Sequence, residues 1–409
     1  MNTKKMPPSH SPVLRFLRRA FALFLMLGFL SIGWVSYDAY SFLYTPAATK
    51  AGQESQEALI DIPPGATFDR VARDLYQKGA ISDVLRFRLL AKWHDKLASV
   101  QAGEFAVDTG WLPEKILDYI TSGNQRLYKL AIREGLPWWE VARLVEEGGF
   151  ATAAEFEAVI HDPEFLRQYG IPFANAEGFL YPETYLLRKP RESTGRKEAE
   201  TVARILVETF WKRSLPVLTQ YATMKASPKD TSPELAASAQ EESPSGHKPL
   251  PMTQKTAEKT NSPPLSPPGS MSEETLRYLV ILASLVEKET GVPEERARVA
   301  GVYANRMRIG MLLQCDPTII YGLGPEQKGP IRRSQLDDEK NRYNTYKHSG
   351  LPPGPICSPG AAAMRAAVTP EKHAYLYFVA TGKPDGTHTF SSNITDHNKA
   401  VREFRKTQR

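Results

Sequence analysis

The sequence predicts an α+β protein that carries one N-terminal membrane helix. Three features of its 409 residues lead to this prediction. An uncharged apolar run of 18 residues occupies 20–37. Two later segments follow the order strand, turn, helix, and the C-terminal part combines amphipathic helices with a hairpin. Helical and period-two patterns that are mixed in this way along one chain are typical of the α+β class.

The N-terminus predicts a cytoplasmic tail at 1–19 and a transmembrane helix at 20–40. About 20 apolar residues cross a hydrocarbon layer of roughly 30 Å. Basic residues stay on the cytoplasmic side, and aromatic residues suit the far interface. The tail holds Lys4, Lys5, Arg15, Arg18 and Arg19, and the far end holds Trp34, Tyr37, Tyr40 and Tyr44. A cleaved signal peptide is the alternative, but the apolar run is long for one and no A-x-A site follows it.

Two segments of the N-terminal half share one plan of strand, turn and helix. The first, "ALIDIPPGATFDRVARDLYQKGAI" at 58–81, turns at its Pro-Pro-Gly and then places Val71, Ala72 and Leu75 at helical spacing. The second, "YKLAIREGLPWWEVARLVEEGGF" at 128–150, does the same with Val141, Ala142 and Leu144. Because "VARDL" aligns with "VARLV", we interpret the two as a weak internal repeat. Between them we expect a helix within 87–100, a strand at 102–108 and a helix at 112–123.

The middle of the chain predicts a disordered insertion at 225–270. This stretch holds nine prolines and no aromatic residue, so it cannot bury enough apolar area to offset the entropy of an ordered chain. The C-terminal part is again structured. We expect a helix at 293–308, a loop with a short helix or strand at 312–324, a turn-rich loop at 342–360, a helix that Ser358-Pro359 caps and that runs to about Ala367, and a hairpin that turns at 383–386.

Charge and composition exclude several classes of function. Of the net charge of +6, the first twenty residues hold +5, so the remainder is close to neutral. A nucleic-acid-binding domain would need a basic face, so we expect no nucleic acid. The two cysteines, Cys315 and Cys357, are too few for a metal cluster. His373, His388 and His397 lack ligand spacing, so we predict neither a metal nor a cofactor.

The stretch "LVILASLVEKETGVPEE" at 279–295 carries the strongest chemical signal. On a wheel of about 100° per residue, Glu289 extends the apolar stripe of Leu279, Leu282, Leu285 and Val286, whereas Glu287 lies off that stripe. Burial and the negative end of the helix dipole both raise the pKa of a carboxyl group at this place. A glutamic acid that stays protonated near neutral pH can act as a general acid.

Structural interpretations of the two glutamates remain open at this point. A carboxylate that ends an apolar stripe often pairs with arginine or with backbone N–H groups, and Arg296, Arg306 and Arg308 are available. For Glu287, a surface pairing with Arg or Lys is the ordinary arrangement.

Five stretches of the chain resemble the endolytic murein transglycosylase family, also called the YceG-like proteins. They are "EGFLYPETY" (177–185), "LASLVEKET" (282–290), "NRMRIGMLLQCDPTIIYGLG" (305–324), "YNTYKHSGLPPGPICSPG" (343–360) and "YLYFVATGKPDGTHTFSSNITDHN" (375–398). The resemblance runs from the membrane helix to the C-terminus. It implies a small LysM-like α/β module at 55–127 and a YceG-like α+β catalytic domain at 128–409, with the insertion inside it.

The resemblance also implies a function. Members of this family are single-pass proteins of the inner membrane, with the catalytic domain on the periplasmic or extracytoplasmic side. They are expected to cut nascent peptidoglycan strands internally and so to end glycan elongation. The implied partners are the glycan strands and the peptidoglycan polymerases or other proteins of cell-wall synthesis.

The catalytic residue of the family matches Glu289, the second glutamate of "EKE". The resemblance implies that it protonates the bond between N-acetylmuramic acid (MurNAc) and N-acetylglucosamine (GlcNAc), and that a 1,6-anhydro ring then forms. The residues expected to bind sugar or to orient Glu289 are Glu177, Tyr181, Glu183, Asn305, Gln314, Asp316, Tyr343 and Asn344.

Two alternative functions and one structural hypothesis stay open. A hydrolase would need a second carboxylate about 5 Å or about 6.5–9.5 Å away, for which Asp316 and Glu183 are the candidates. A non-catalytic glycan-binding scaffold of the cell-wall machinery would keep the fold with an inactive cleft. The two cysteines stand in loops that should approach the cleft, so a disulfide between Cys315 and Cys357 is a hypothesis.

Overall fold

The computed structural model describes residues 12–190, 195–226 and 271–407. Their elements in chain order are α1 (Pro12–Tyr44), α2 (Ala47–Lys50), β1 (Glu57–Ile62), α3 (Phe68–Gln77), α4 (Val84–Trp93), β2 (Gly103–Asp108), α5 (Pro113–Thr121), β3 (Tyr128–Ala131), α6 (Trp138–Glu147), α7 (Ala153–Ile160), α8 (Pro163–Gln168), β4 (Thr184–Leu187), α9 (Arg196–Ala226), α10 (Glu273–Glu289), α11 (Arg296–Arg308), α12 (Asp316–Leu323), α13 (Arg333–Leu336), α14 (Ala361–Val368), β5 (Tyr377–Ala380), β6 (His388–Ser391) and α15 (Ile394–Thr407). The prediction of mixed helices and strands is confirmed. The chain forms two compact units, which divide between Arg126 and Leu127.

Helix α1 is the apolar N-terminal helix that the sequence predicts. Its part Arg19–Tyr44 has a mean hydropathy of 1.8 and is long and apolar enough to cross a membrane by length and composition. At its C-terminal end, Phe42 is only 2% exposed and belongs to the core of the first unit. The same helix therefore continues from a predicted span into a folded unit. Residues 1–11 of the predicted tail lie outside the described residues.

In the first unit two strands pair with each other, and two helices connect them in the chain. Strands β1 and β2 are antiparallel, from the pair Glu57 and Asp108 to the pair Ile62 and Gly103, and α3 and α4 connect them. The core combines inward-facing strand residues with one face of each helix; its fully buried members include Ile60, Val71, Leu75, Phe87, Phe105 and Ile116. The predicted strand–turn–helix order is confirmed here.

The second unit begins with a similar order of elements. Strand β3 pairs antiparallel with β4, and α6 to α8 lie between them in the chain. The two segments of the weak repeat thus both form a strand followed by a helix. Alignment of "VARDL" with "VARLV" pairs Leu75 with Val145, and both are fully buried. The sequence pattern places Leu144 on the helical stripe, but Val145 is the buried residue and Leu144 is partly exposed.

Helix α10 is the centre of the second unit. It packs against α11, α12 and α14, so all residues from Leu279 to Val286 are buried. The N-cap Ser272 accepts a hydrogen bond from the Thr275 amide through its side-chain oxygen, which starts the helix. The antiparallel hairpin β5–β6 and α15 follow α14, as the sequence predicts for the hairpin.

Two boundaries differ from the predictions. Helix α14 begins at Ala361 with Gly360 as its N-cap, so Ser358 does not cap it; the Ser358 amide instead donates to the carbonyl of Leu136. Helix α9 continues to Ala226, so 225–226 belong to a helix. The rest of the predicted insertion, 227–270, lies outside the described residues.

Candidate active site

Glu289 is the last residue of α10. For its neighbour Glu287, which lies off the apolar stripe, the sequence favours a surface position. The structure differs, because α10 is covered on both faces. The Glu287 side chain is 6% exposed and lies 3.6 Å from the guanidinium of Arg296. It also accepts a hydrogen bond of 2.9 Å from the amide of Gly360, at the start of α14. Glu287 therefore joins α10 to α11 and α14, and only Glu289 remains at the open end of the helix.

The Glu289 carboxyl is surrounded by side chains from two other elements. Tyr303 on α11 and Cys315, directly before α12, both form hydrogen bonds with it. Burial raises the pKa of Glu289, these two hydrogen bonds oppose the rise, and the negative charge of Asp316 adds to it. The residue as a whole is still partly exposed. A raised pKa together with access from solvent is what a general acid needs.

The start of α12 and the segment directly before it carry two predicted site residues, Asp316 and Gln314. Asp316 is exposed and accepts a 2.6 Å hydrogen bond from the Tyr346 hydroxyl. Gln314 is exposed and has a φ of 51°, a left-handed conformation that non-glycine residues adopt rarely. Its amide donates to the carbonyl of Thr345. Asp316 therefore lies close enough to Glu289 for its charge to act on it, and Gln314 directly precedes Cys315, which contacts Glu289.

A carboxylate–histidine pair lies on a further side of this site. The Nδ1 atom of His388 is 2.7 Å from Oε2 of Glu295, and the His388 amide donates to Oε1 at 2.9 Å. Both side chains are nearly buried, at 12% and 8% exposure. A positive charge on His388 favours the ionised form of Glu289 and lowers its pKa. The pair joins β6 to the turn before α11.

Glu177 forms a second, more enclosed region. Its carboxylate accepts hydrogen bonds from the amide of Trp138 at 2.8 Å and from the amide of Gly178 at 3.3 Å. Tyr321 adds a side-chain hydrogen bond, and burial nevertheless raises the pKa of Glu177 to about 8. Only 1% of the residue is exposed. Because Trp138 is the first residue of α6, Glu177 fixes the start of that helix from a distant loop.

Glycine is required directly after Glu177. Gly178 has a φ of +83°, and a Cβ atom there would lie 2.7 Å from both Pro355 and Val280. The loop of the "EGFLYPETY" motif therefore packs its backbone directly on α10 and on the turn-rich loop. The "EGFLYPETY" loop and the turn-rich loop at 342–360 are therefore in direct contact at Gly178.

Aromatic side chains border the Glu177 region. The ring of Tyr321 lies 5.0 Å from that of Trp139 and 4.8 Å from that of Tyr343. All three side chains are partly exposed, and Tyr343 is the predicted site residue among them. Such a ring offers apolar area with a polar tip.

The remaining predicted residues have protein partners elsewhere in the unit. Tyr181 is 7% exposed. Glu183 forms a two-point ion pair with Arg213. Asn305 donates to the carbonyls of His373 and Tyr375. Asn344 is fully buried and donates to three carbonyls, those of Gln335, Leu336 and Asp338.

Four neighbours of the site are not predicted from the sequence: Tyr303, Glu295, His388 and Tyr346. One signal was available for Tyr303, which follows Val299 and Ala300 at helical spacing and is buried with them. A hydroxyl on an apolar helix face needs a partner when buried, and the glutamate on the facing helix is that partner.

Both cysteines are free and buried, so the disulfide hypothesis is wrong. Cys315 contacts Glu289, whereas the Cys357 thiol donates to the carbonyl of Ser284 at 3.4 Å. Within the described residues no three or more His, Cys, Asp or Glu side chains are grouped so as to hold a metal ion.

The fold and site define an α+β protein with an N-terminal apolar helix and one partly exposed glutamic acid at the end of a buried helix. The chain belongs to the YceG-like family, whose model matches residues 60–403. This confirms the resemblance that the five motifs indicate.

Relatives in two bacteria carry a functional name. The chain is 24% identical over 381 residues to an endolytic murein transglycosylase of Bacillus subtilis (strain 168), covering 89% of this chain and 90% of that protein. It is 24% identical over 413 residues to an endolytic murein transglycosylase of Streptococcus pneumoniae, covering 94% of this chain but only 64% of the pneumococcal protein. A crystal structure of a YceG-like protein from Listeria monocytogenes matches 85% of this chain and 99% of its own, with 24% identity and a TM-score of 0.48.

Proposed function

We propose that this protein is a lytic transglycosylase that cuts peptidoglycan strands internally, with Glu289 as its catalytic acid and base. The observation that carries the proposal is the Glu289 carboxyl itself. Burial raises its pKa, Tyr303 and Cys315 orient it by hydrogen bonds, and the residue remains partly exposed. The names of the relatives support the same class of reaction.

The proposed reaction needs one carboxyl group in two steps. Protonated Glu289 donates its proton to the glycosidic oxygen between MurNAc and GlcNAc, and the bond from that oxygen to C1 of MurNAc breaks. The resulting carboxylate then accepts the proton of the C6 hydroxyl of the same MurNAc. That oxygen attacks C1 and closes a 1,6-anhydro ring, so no water is consumed and Glu289 regains its proton.

The neighbours of Glu289 make the proton cycle possible. Tyr303 and Cys315 stabilise the ionised carboxylate that exists between the two steps, whereas burial and the charge of Asp316 favour the protonated form. Opposed influences of this kind suit a carboxyl group that must both give and take a proton within one reaction.

For the other site residues we propose two kinds of role. Gln314, Asp316 and Tyr343 are exposed or partly exposed and would contact the glycan. Tyr181 is buried, and protein partners engage the side chains of Glu177, Glu183, Asn305 and Asn344. These five residues would hold the loops that shape the cleft. Asp316 is also the residue to consider if the enzyme were a hydrolase, because Glu183 is paired with Arg213.

We further propose a place for the protein in the cell envelope. Helix α1 would anchor it in the inner membrane with its N-terminus in the cytoplasm and both units on the extracytoplasmic side. The strand–helix–helix–strand order of the first unit supports a LysM-like module that holds glycan. Cleavage of strands close to the membrane would end their elongation, and peptidoglycan polymerases would be the partners.

The test is mass analysis of products from isolated glycan strands that are incubated with the full chain or with a Glu289→Gln variant. Anhydro-muramyl ends that form with the wild type and vanish in the variant would support the reaction and the residue. Reducing muramyl ends would indicate a hydrolase. Absence of products from a wild type that still binds strands would overturn the enzyme proposal in favour of a scaffold.

A further inference from the structure

Helix α4 of the first unit carries apolar side chains on its outer face. Outside α1, the three most exposed large apolar side chains of the described residues are Trp93 at 87%, Leu85 at 66% and Leu89 at 58%. They are spaced by four residues and so form one continuous line along the helix. The opposite face buries Phe87 and Ala91 completely. Apolar area in such a line on a small unit indicates an interaction surface.

The charges of α4 indicate what kind of partner this surface fits. The helix holds the cations Arg86, Arg88 and Lys92 and no acidic residue. Arg88 pairs with Asp69 of α3 across the surface, and Lys92 is exposed beside the apolar line. A helix with apolar residues on one side and basic residues beside them binds in the interface of a bilayer that contains anionic lipids. Tryptophan is enriched at that interface, which suits the most exposed residue of the line, Trp93.

The position of α4 beside α1 supports a lipid partner rather than a protein. The Arg86 guanidinium forms a 2.5 Å ion pair with Asp38 of α1. A hydrocarbon layer of roughly 30 Å takes about 20 helical residues, so a span that begins at Arg19 leaves the layer near Asp38. Tyr37, Tyr40 and Tyr44 are exposed around the same level. The first turn of α4 is therefore held at the height where the headgroups lie.

We propose that Leu85, Leu89 and Trp93 rest in the outer interface of the membrane that α1 spans, with anionic phospholipid headgroups beside the basic residues of α4. This inference depends on the proposed membrane anchor. It adds a second contact between the first unit and the bilayer, which restrains the unit against rotation about the end of α1. A glycan strand held by the unit would then meet it at a fixed height above the membrane.

The test uses the full chain in nanodiscs of phosphatidylcholine and phosphatidylglycerol. A Leu89→Cys variant is labelled with an environment-sensitive fluorophore, and quenching is measured with lipids that carry a spin label near the headgroup. The native Cys315 and Cys357 are buried and are not expected to react. Gln77→Cys, at an exposed residue of α3 in the same unit, is the matched control. Both substitutions are at the surface and should leave the fold intact.

We expect several-fold stronger quenching and a blue-shifted emission at position 89 compared with position 77. A triple variant, Leu85→Ser with Trp93→Ser and the labelled Leu89→Cys, should lose most of this quenching. Equal quenching at the two positions, or none at 89 in protein that co-elutes with the discs, would overturn the membrane contact while leaving the anchor intact. Protein that fails to co-elute with the discs would overturn the anchor and this inference together. None of these outcomes depends on catalytic activity.

Discussion

Two carboxylic acids of the second unit, Glu177 and Glu289, differ in what touches them. The pKa of Glu177 is raised to about 8 and that of Glu289 is also raised, in both cases chiefly by burial. Backbone amides of Trp138 and Gly178 hold Glu177, which is 1% exposed. The side chains of Tyr303 and Cys315 hold Glu289, which is partly exposed.

This difference separates a structural acid from the acid that we propose as the catalyst. Amide donors from two chain segments commit the Glu177 carboxyl to joining those segments, and solvent does not reach it. Side-chain donors hold the Glu289 carboxyl without tying two backbone segments together, and the residue is partly exposed. A raised pKa alone therefore does not identify the acid catalyst; the pKa together with access does.

The largest expected effect is on the rate of anhydro-end formation. Glu289→Gln removes the only proton donor of the proposed cycle and should lower kcat by about 10³-fold or more, in line with the roughly 10²–10⁴-fold that such groups contribute. Glu177→Gln should stay within a few-fold of wild type, because glutamine resembles the protonated acid that Glu177 is at neutral pH. Equal losses in the two variants would contradict the assignment. Matching melting temperatures would show that both variants fold.

The second expected effect is on stability as a function of pH. The folded state raises the pKa of Glu177 from 4.5 to about 8, so it binds this proton more tightly than the unfolded chain. The stabilisation is full below about pH 4.5 and is lost as the pH rises towards 8, at up to about 1.4 kcal/mol per pH unit. Between about pH 4.5 and 8, the free energy of unfolding of the wild type should therefore fall by several kcal/mol relative to that of Glu177→Gln.

Denaturant unfolding of the full chain in detergent, followed by tryptophan fluorescence at a series of pH values, measures this difference. Comparison with the glutamine variant cancels contributions from other titrating groups. If the two unfolding free energies ran parallel from acid to neutral pH, Glu177 would not be the protonated group that its burial indicates.

A third effect is a shift in the pH dependence of the reaction. The hydrogen bond from Tyr303 lowers the pKa of Glu289, whereas the charge of Asp316 raises it. Tyr303→Phe should therefore move the alkaline limb of kcat/KM to higher pH, by about one unit for a lost hydrogen bond to a charged group. Asp316→Asn should move the same limb to lower pH by a smaller amount. Shifts of the same sign in both variants would refute this account of the site.

Much of the fold could be predicted from the sequence because local patterns determine it. The period-two strands and the amphipathic helices of the first unit, the end of α10 and the hairpin β5–β6 all follow their patterns. The exceptions are positions where tertiary contacts replace local ones. Gly360, whose amide donates to Glu287, is the N-cap of α14 instead of Ser358. Glu287 is buried because three helices surround α10.

The site could be predicted less completely. The wheel distinguishes Glu289, the residue that we propose as the catalyst, because its position on α10 alone places it at the end of an apolar stripe. The sequence does not show that Tyr303 and Cys315 meet its carboxyl, since they come from two other elements. Nor does it show that Asn344 and Asn305 donate to backbone carbonyls, because a motif shows which residues recur but not which partner each one contacts.

The smallest expected effect tests one of these motif residues, Glu183. Its carboxylate accepts hydrogen bonds of 2.6 Å and 3.2 Å from the Arg213 guanidinium, and the two side chains are 23% and 35% exposed. Glu183→Gln should destabilise the unit by about 1 kcal/mol or less, as partly exposed ion pairs do, and leave KM for the glycan unchanged. Glu403→Gln is the matched control, since its pair with Lys406 is exposed and should contribute almost nothing. A raised KM in Glu183→Gln at unchanged stability would instead place Glu183 among the residues that contact the substrate.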